Sequence, residues 1–227
     1  MKAMLLAAGR GERMRPLTDH TPKPLLIVGG KPLIVWHLEA LARAGVRDVI
    51  VNLSWLGSQI RAALGDGRQF GVAIQYSEEG SPPLETGGGI FKALALLGPA
   101  PFLVVNSDTF TDIDPGALRL PAAADAHLVL VPNPPQHPTG DFDLDGHTIV
   151  NRDVRPLTYS GIGIFSPALF AGCTAAAFPL LPVFKRAIAA GRLQGERHPG
   201  LWRDIGTPQR LAALNRELAQ KGPPTLT

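Results

Sequence analysis

Short apolar runs alternate with amphipathic stretches along the first hundred residues. "AMLLAA" starts at Ala3, "PLIVWHLEALARAG" at Pro32, "DVIVNLS" at Asp48, "WLGSQIRAALGDG" at Trp55, "VAIQYS" at Val72, "GGGIFKALALLG" at Gly87 and "PFLVVNSD" at Pro101. A run that is apolar throughout suits a strand buried on both faces, and parallel strands need crossovers of the length the helical stretches supply. The pattern therefore predicts an α/β chain with a mostly parallel central sheet flanked by helices.

Local signals sharpen several boundaries. Pro32 suits the first turn of a helix and Gly45 its C-terminal end, while Thr86 reads as the N-cap of the helix through Ile90, Phe91, Leu94 and Leu97. Beyond Asp114 the pattern loosens. A strand "AHLVLV" precedes the Pro-rich loop "PNPPQHPTG", and short strands are expected near Asp141–Leu144 and Thr148–Val150. "YSGIGIF" and "LWRDIG" read as further strands with the helix "PLLPVFKRAIAAG" between them, and Thr207 with Pro208 opens a last helix to about Lys221. A single domain over residues 1–221 with a short frayed tail, 222–227, is expected.

Ligands of open parallel sheets bind where strands end, so the chemistry is sought there. After the first strand comes "LLAAGRGERMRPLTDHTPKPLL", in which Arg10, Arg13, Arg15 and Lys23 crowd one loop. So much like charge repels itself unless the loop is merely solvated surface or wraps an anion. Gly9 and Gly11 can turn backbone N–H groups inward as a nest, arginine forks match pairs of phosphate oxygens, and lysine follows a single one. Two familiar phosphate loops are excluded: Gly9-x-Gly11-x-x-Met14 lacks the third glycine of the dinucleotide fingerprint, and no G-x-x-x-x-G-K-[ST] spacing occurs.

Asp108 closes the strand "FLVVNSD" and Asp204 sits similarly in "LWRDIGTP". Each alone reads equally as a turn residue; together, two carboxylates plus substrate phosphates suit Mg²⁺. His37 reads as a helix-packing residue, and the six histidines show no paired metal spacing.

Composition removes other classes. Lys and Arg number 22 against 19 Asp and Glu, a net charge of +3, and aromatics are 6%, so no basic stripe with interleaved aromatics is available for nucleic acid. No apolar run reaches the ~20 residues of a membrane span, and the start "MKAMLLAAG" is too short in its apolar part for a signal peptide and reads as the first strand. Cys173 is the single cysteine, which fits a reducing cytoplasm. A monomer is expected.

These residues resemble the signature of the sugar-1-phosphate nucleotidyltransferases, roughly L-A-G-G-x-G-T-R-[LM]-x-P-L-T followed by x-P-K-P-[LM]. "LETGGGI", "VVNSD", "YSGIGIF" and "WRDIGTP" continue the match in order along almost the whole chain. The resemblance implies a Rossmann-like nucleotidyltransferase domain that joins a nucleoside triphosphate to a sugar 1-phosphate with Mg²⁺ and releases pyrophosphate. It places Ala7, Gly9, Gly11, Glu12, Arg13, Lys23 and Gly88 around the nucleotide, Arg15 on the departing pyrophosphate, Lys23 on the α-phosphate, and Asp108 and Asp204 on the metal. Asn106, Asp141 and Asn151 fall to the sugar, with Tyr159 and Glu196 as weaker candidates. Within the family, "SEEGSPPLETGGGIFKALALLG" and "GERHPGLWRDIGTPQRL" are similar to members that use UTP and N-acetylmuramate α-1-phosphate in cell-wall sugar recycling; mannose, heptose or glucose phosphates with GTP, UTP or dTTP are the alternatives, and a non-catalytic sugar-nucleotide sensor is the rival class. Three departures stand out. Glu78 and Glu79 occupy the stretch where many relatives read the base with glutamine, Glu85 replaces a glycine, and Asn151 replaces a glutamate, which would accommodate an anionic sugar.

Overall fold

The computed structural model describes residues 1–222. In chain order the elements are β1 (Ala3–Leu6), β2 (Ile27–Val28), β3 (Lys31–Pro32), α1 (Leu33–Arg43), β4 (Asp48–Leu53), α2 (Gly57–Leu64), β5 (Ala73–Glu78), α3 (Glu85–Leu97), β6 (Phe102–Asn106) and β7 (Thr109–Thr111). They continue with β8 (Ala126–Pro132), β9 (Asp143–Asp145), β10 (Thr148–Val150), β11 (Leu157–Phe165), α4 (Leu181–Ala189), β12 (Leu193–Arg197), β13 (Trp202–Asp204) and α5 (Pro208–Lys221). The tail expected at 222–227 lies, past Gly222, outside the described residues.

Nine strands form one sheet in the order β5-β4-β1-β6-β11-β8-β12-β10-β9. β1, β4, β5 and β6 pair in parallel, and β8 with β12 likewise, whereas β11 and β10 run against their neighbours. The fold is thus α/β with a mostly parallel sheet, as the alternation predicts. Side-chain alternation along β1 sends Ala3 and Leu5 to one face, under Ile34 and Leu38 of α1, and Met4 to the other, against Ile90 and Ala93 of α3. Both faces are covered, which is why these strands read as continuous apolar runs.

A third cluster matters most for the site. Met14 from the cationic loop is buried with Val28, Trp36, Phe110, Ile205 and three leucines of α5, Leu211, Leu214 and Leu218. Asn215 of α5 adds a reciprocal clamp on the β2–β3 turn, accepting from Gly29 N–H (2.9 Å) and donating to Ile27 C=O (3.0 Å). Thr207 caps α5 as its sequence indicates, Oγ1 accepting from Arg210 N–H at 3.3 Å.

Three boundaries differ from the sequence reading. Leu84, not Thr86, caps α3, and the helix starts two residues earlier, at Glu85, because Glu79 already fixes the turn before it. Pro32 is the N-cap of α1 and belongs to the β2–β3 ribbon rather than to the first helical turn. β13 stands outside the main sheet and pairs antiparallel with β7.

Candidate functional site

The C-terminal ends of β1, β4 and β6 open onto two adjoining clefts that share Gly9, Lys23, Pro83 and Asp108. One, of about 260 Å³, is walled by Leu6, Ala7, Ala8, Asn52, Glu79, Glu85, Thr86 and Asn106. The other is lined by Gly9 to Met14 and by Gly206. The first cleft combines apolar surface from Leu6, Ala7, Ala8, Pro24 and Pro83 with polar side chains, and the second adds Arg10 and Arg13, a division that suits a nucleoside at one end and phosphates at the other.

The cationic loop is folded on itself by a few specific bonds. Gly11 has φ 63°, and a Cβ there would lie 3.0 Å from Thr18 Cγ2 and 3.3 Å from Lys23 Cβ, so only glycine fits. Thr18 Oγ1 donates to Gly11 C=O (2.8 Å), and Trp55 Nε1 donates to Thr18 C=O (3.1 Å), tying the loop to the segment before α2. Arg10 stacks on the Trp55 ring at 5.2 Å. Glu12 and Arg13 are exposed at the cleft wall.

Lys23 is drawn inward. It is 8% exposed, and its ammonium donates to Asp108 Oδ2 at 2.6 Å. Asp108 lies between β6 and β7; the β7–β13 ribbon sets Asp204 opposite Thr109, and Ile205 N–H donates to Asp108 C=O at 3.1 Å. The two aspartates from distant parts of the sequence thus become neighbours. Asp204 itself faces Arg210 Nη2 at 3.1 Å, and that guanidinium lies flat against Gly206, where a Cβ would come within 2.1 Å of Nη2.

Behind Asp108, His37 is fully buried, and its Nε2 meets Thr109 C=O at 2.7 Å. Desolvation holds its pKa down to about 4 against the help of the Thr109 bond and of Asp108. The ring is therefore neutral and donates, serving as the packing residue its sequence context suggests.

Asn106 lines the base-side cleft, close against Gly161, whose φ of 83° and missing Cβ let β11 pass within contact distance. Asp141 holds the Pro-rich loop instead of facing the cleft: one oxygen accepts from Tyr159 N–H (2.8 Å), the other pairs with His137 Nε2 (2.9 Å). The Tyr159 hydroxyl is buried without a partner among the described residues and burial pushes its pKa up, while Glu196 pairs with His127.

Five expected site residues lie outside the linings of the two clefts: Asp141, Asp204, which lines a separate hollow with Trp202, Arg203 and Arg210, and Asn151, Arg15 and Gly88. Asn151 is exposed after β10, a strand that pairs with β12 at Gln194, near the far edge of the sheet. Arg15 is exposed and ion-paired to Asp19 at 3.2 Å. Gly88 is buried on the other side of α3, its N–H donating to Phe178 C=O (3.1 Å). Ala7 does line the cleft, but its N–H is already taken by Asn52 Oδ1 at 2.7 Å. Asn52 in turn donates to Glu79 Oε1 (2.5 Å), whose other oxygen accepts from Leu84 N–H (2.9 Å). This buried chain forms the cleft floor and escaped sequence reading; Asn52 at the end of an apolar strand was the available signal.

Comparison with known proteins identifies the family. The family described as nucleotidyl transferase matches residues 2–142. An N-acetylmuramate alpha-1-phosphate uridylyltransferase of Neisseria meningitidis serogroup B is 53% identical over 220 residues, 93% of this chain and 95% of the relative. A protein of the same name from Caulobacter vibrioides is 38% identical over 234 residues, covering 96% and 97%. In fold, the chain is similar to a Bacillus anthracis structure assigned as a glucose-1-phosphate thymidylyltransferase and solved with sucrose, with a TM-score of 0.86 at 19% identity over 100% of this chain and 98% of that one. The chain therefore belongs to the nucleotidyl transferase family.

Proposed function

We propose that the chain transfers UMP from UTP to N-acetylmuramate α-1-phosphate with Mg²⁺, forming UDP-N-acetylmuramate and pyrophosphate, in the cytoplasmic recycling of cell-wall sugar. The observation that carries this reading is the 53% identity to the Neisseria meningitidis uridylyltransferase over nearly the full length of both chains. No described helix is long and apolar enough to cross a membrane.

In this reaction a phosphate oxygen of the sugar attacks the α-phosphorus of UTP. The bond from that phosphorus to the β-phosphate breaks, and pyrophosphate leaves with the electron pair. Repulsion between anions is the main obstacle, so positioning and positive charge do the catalysis and no covalent nucleophile is needed. Lys23 suits the α-phosphate: a point charge on a flexible stem can exchange the Asp108 carboxylate for a phosphate oxygen. The nest at Gly9–Gly11 and Arg13 receive the β- and γ-phosphates. Arg15 joins them only by giving up Asp19. Asn106 shares its cleft with Lys23 and Asp108, so a sugar held at the reacting phosphate would lie toward it, and Asp141 acts through the loop it orders.

Asp108 and Asp204, adjacent through the β7–β13 ribbon, are a donor set that fits Mg²⁺, which takes one or two carboxylates and completes its shell with phosphate oxygens and water. Among the described residues no group of three or more His, Cys, Asp or Glu gathers as an all-protein cage, in keeping with a cation shared with substrate. Bound there, Mg²⁺ supplies charge neutralisation at the transferring phosphate.

The test is pyrophosphate release with Mg²⁺ over a grid of UTP, dTTP, GTP, CTP and ATP against the 1-phosphates of N-acetylmuramate, N-acetylglucosamine, glucose, mannose and heptose. A dominant signal from UTP with N-acetylmuramate phosphate is expected. A dominant signal elsewhere overturns the substrates and keeps the transfer; silence from folded protein that binds nucleotide overturns the transfer and leaves a sensor.

A further inference from the structure

Glu85 stands where the backbone favours glycine. Its φ is 59°, a left-handed conformation that a side chain with a Cβ resists, and the matching position of the family pattern is glycine. The surrounding bonds hold it there. Leu84 N–H is fixed on Glu79, Leu84 C=O accepts from Phe178 N–H (3.1 Å), and Gly88 N–H donates to Phe178 C=O. Strain kept in this way at a ligand cleft points to use of the side chain.

The side chain is exposed and lines the base-side cleft beside Ala7, Ala8, Pro83 and Thr86. A carboxylate there is repelled by phosphates, which the cationic end of the cleft takes. Glu85 is thus left facing the nucleoside. On the cleft floor Asn52 and Glu79 are already bonded to each other and to backbone, and the apolar walls suit the flat base. A rim carboxylate accepts from an N–H of the base or an O–H of the ribose; Pro83, two residues before Glu85, lines both clefts, so Glu85 stands near their junction, where the ribose links the base to the phosphates and its hydroxyls are the nearer donors.

We propose that Glu85 is a specificity-determining residue that accepts a hydrogen bond from the ribose 2′-hydroxyl of the bound triphosphate, so that the chain selects ribonucleotides over 2′-deoxyribonucleotides. The inference rests on the nucleotide-binding part of the function proposed above and is independent of which base or sugar is used.

Binding of UTP, dUTP, GTP and dGTP is measured without sugar acceptor for the wild type, Glu85→Asn and Glu85→Gln. Asparagine tolerates the left-handed backbone, so Glu85→Asn is expected to melt no lower than wild type. The wild type is expected to prefer the ribo form by roughly ten- to hundredfold, the worth of a hydrogen bond to a charged group. In Glu85→Asn that preference collapses because UTP weakens while dUTP does not. Glu85→Gln retains part of it, since the amide oxygen still accepts. A wild type that binds both forms equally overturns the proposal, as does a preference that survives in Glu85→Asn. Equal weakening of both forms overturns it too, because the turn and not the hydroxyl would then be responsible. A chain that prefers GTP to UTP yet loses ribo selectivity in Glu85→Asn overturns the uridylyl reading and leaves Glu85 standing.

Discussion

Lys23 and Asp108, 85 positions apart in sequence, meet through an ion pair of 2.6 Å at the mouth shared by both clefts. The lysine is the more enclosed partner, with a side chain 10% exposed against 37% for the aspartate. Removing the cation therefore leaves a carboxylate that water can reach, not a buried charge.

For this reason Lys23→Ala is expected to fold with a Tm within a few degrees of wild type while pyrophosphate release falls by about three orders of magnitude or more. Lys23→Arg restores little, because a planar fork does not follow one moving oxygen as a point charge does. Steady-state kinetics beside thermal melts separate the two effects. Normal turnover by a folded Lys23→Ala protein removes the lysine from the mechanism.

Asp204→Asn weakens the proposed cation site by one negative charge. The Mg²⁺ concentration for half-maximal activity is expected to rise about tenfold or more, since ligand charge tunes affinity for hard cations. A Mg²⁺ titration of the variant checks this, and an unchanged midpoint assigns the cation to Asp108 and substrate alone.

Gly11→Ala tests the loop. The left-handed backbone costs a residue with a Cβ about 1–2 kcal/mol, and the added methyl pushes on Thr18 and Lys23. A lower Tm together with weakened UTP binding is the expected result from calorimetry and titration, whereas Gly9→Ala, with open space around its missing Cβ, is expected to leave the Tm unchanged.

His37 gives a pH signature. Its folded pKa of about 4 lies below the unfolded value of 6.5, so the unfolded chain binds the extra proton first as pH falls. Its contribution is complete above pH 6.5 and is lost progressively between 6.5 and 4, by up to about 3 kcal/mol at the lower end. Glutamine keeps a donor for Thr109 without titrating, so the difference in denaturant stability between wild type and His37→Gln is expected to slope in that window and to flatten above it.

The ends of β1 and β6, the glycine-and-arginine loop and the Thr207 cap were legible because each is written in adjacent residues. Strand partners are not. The run "LWRDIG" reads as a strand, but its pairing with Thr109–Thr111, which brings Asp204 to Asp108, is decided by packing of residues nearly a hundred positions apart. β12, "LQGER", was invisible as a strand because its polar residues dilute the apolar run. Arg15, Gly88 and Asn151 have surroundings that a motif does not carry: Asp19, Phe178 and the exposed segment after β10 are set by the folded chain. Glu85, inexplicable as a letter in a sequence, acquires a physical meaning once its φ is known.

The burial of Met14 beneath Leu211, Leu214 and Leu218 joins the two ends of the described chain. The loop made by the first two dozen residues takes part of its floor from a helix that follows nearly two hundred positions later. During translation, then, the N-terminal strands can pair while the phosphate loop stays unfinished, and nascent chains halted before Pro208 should fail to retain nucleotide.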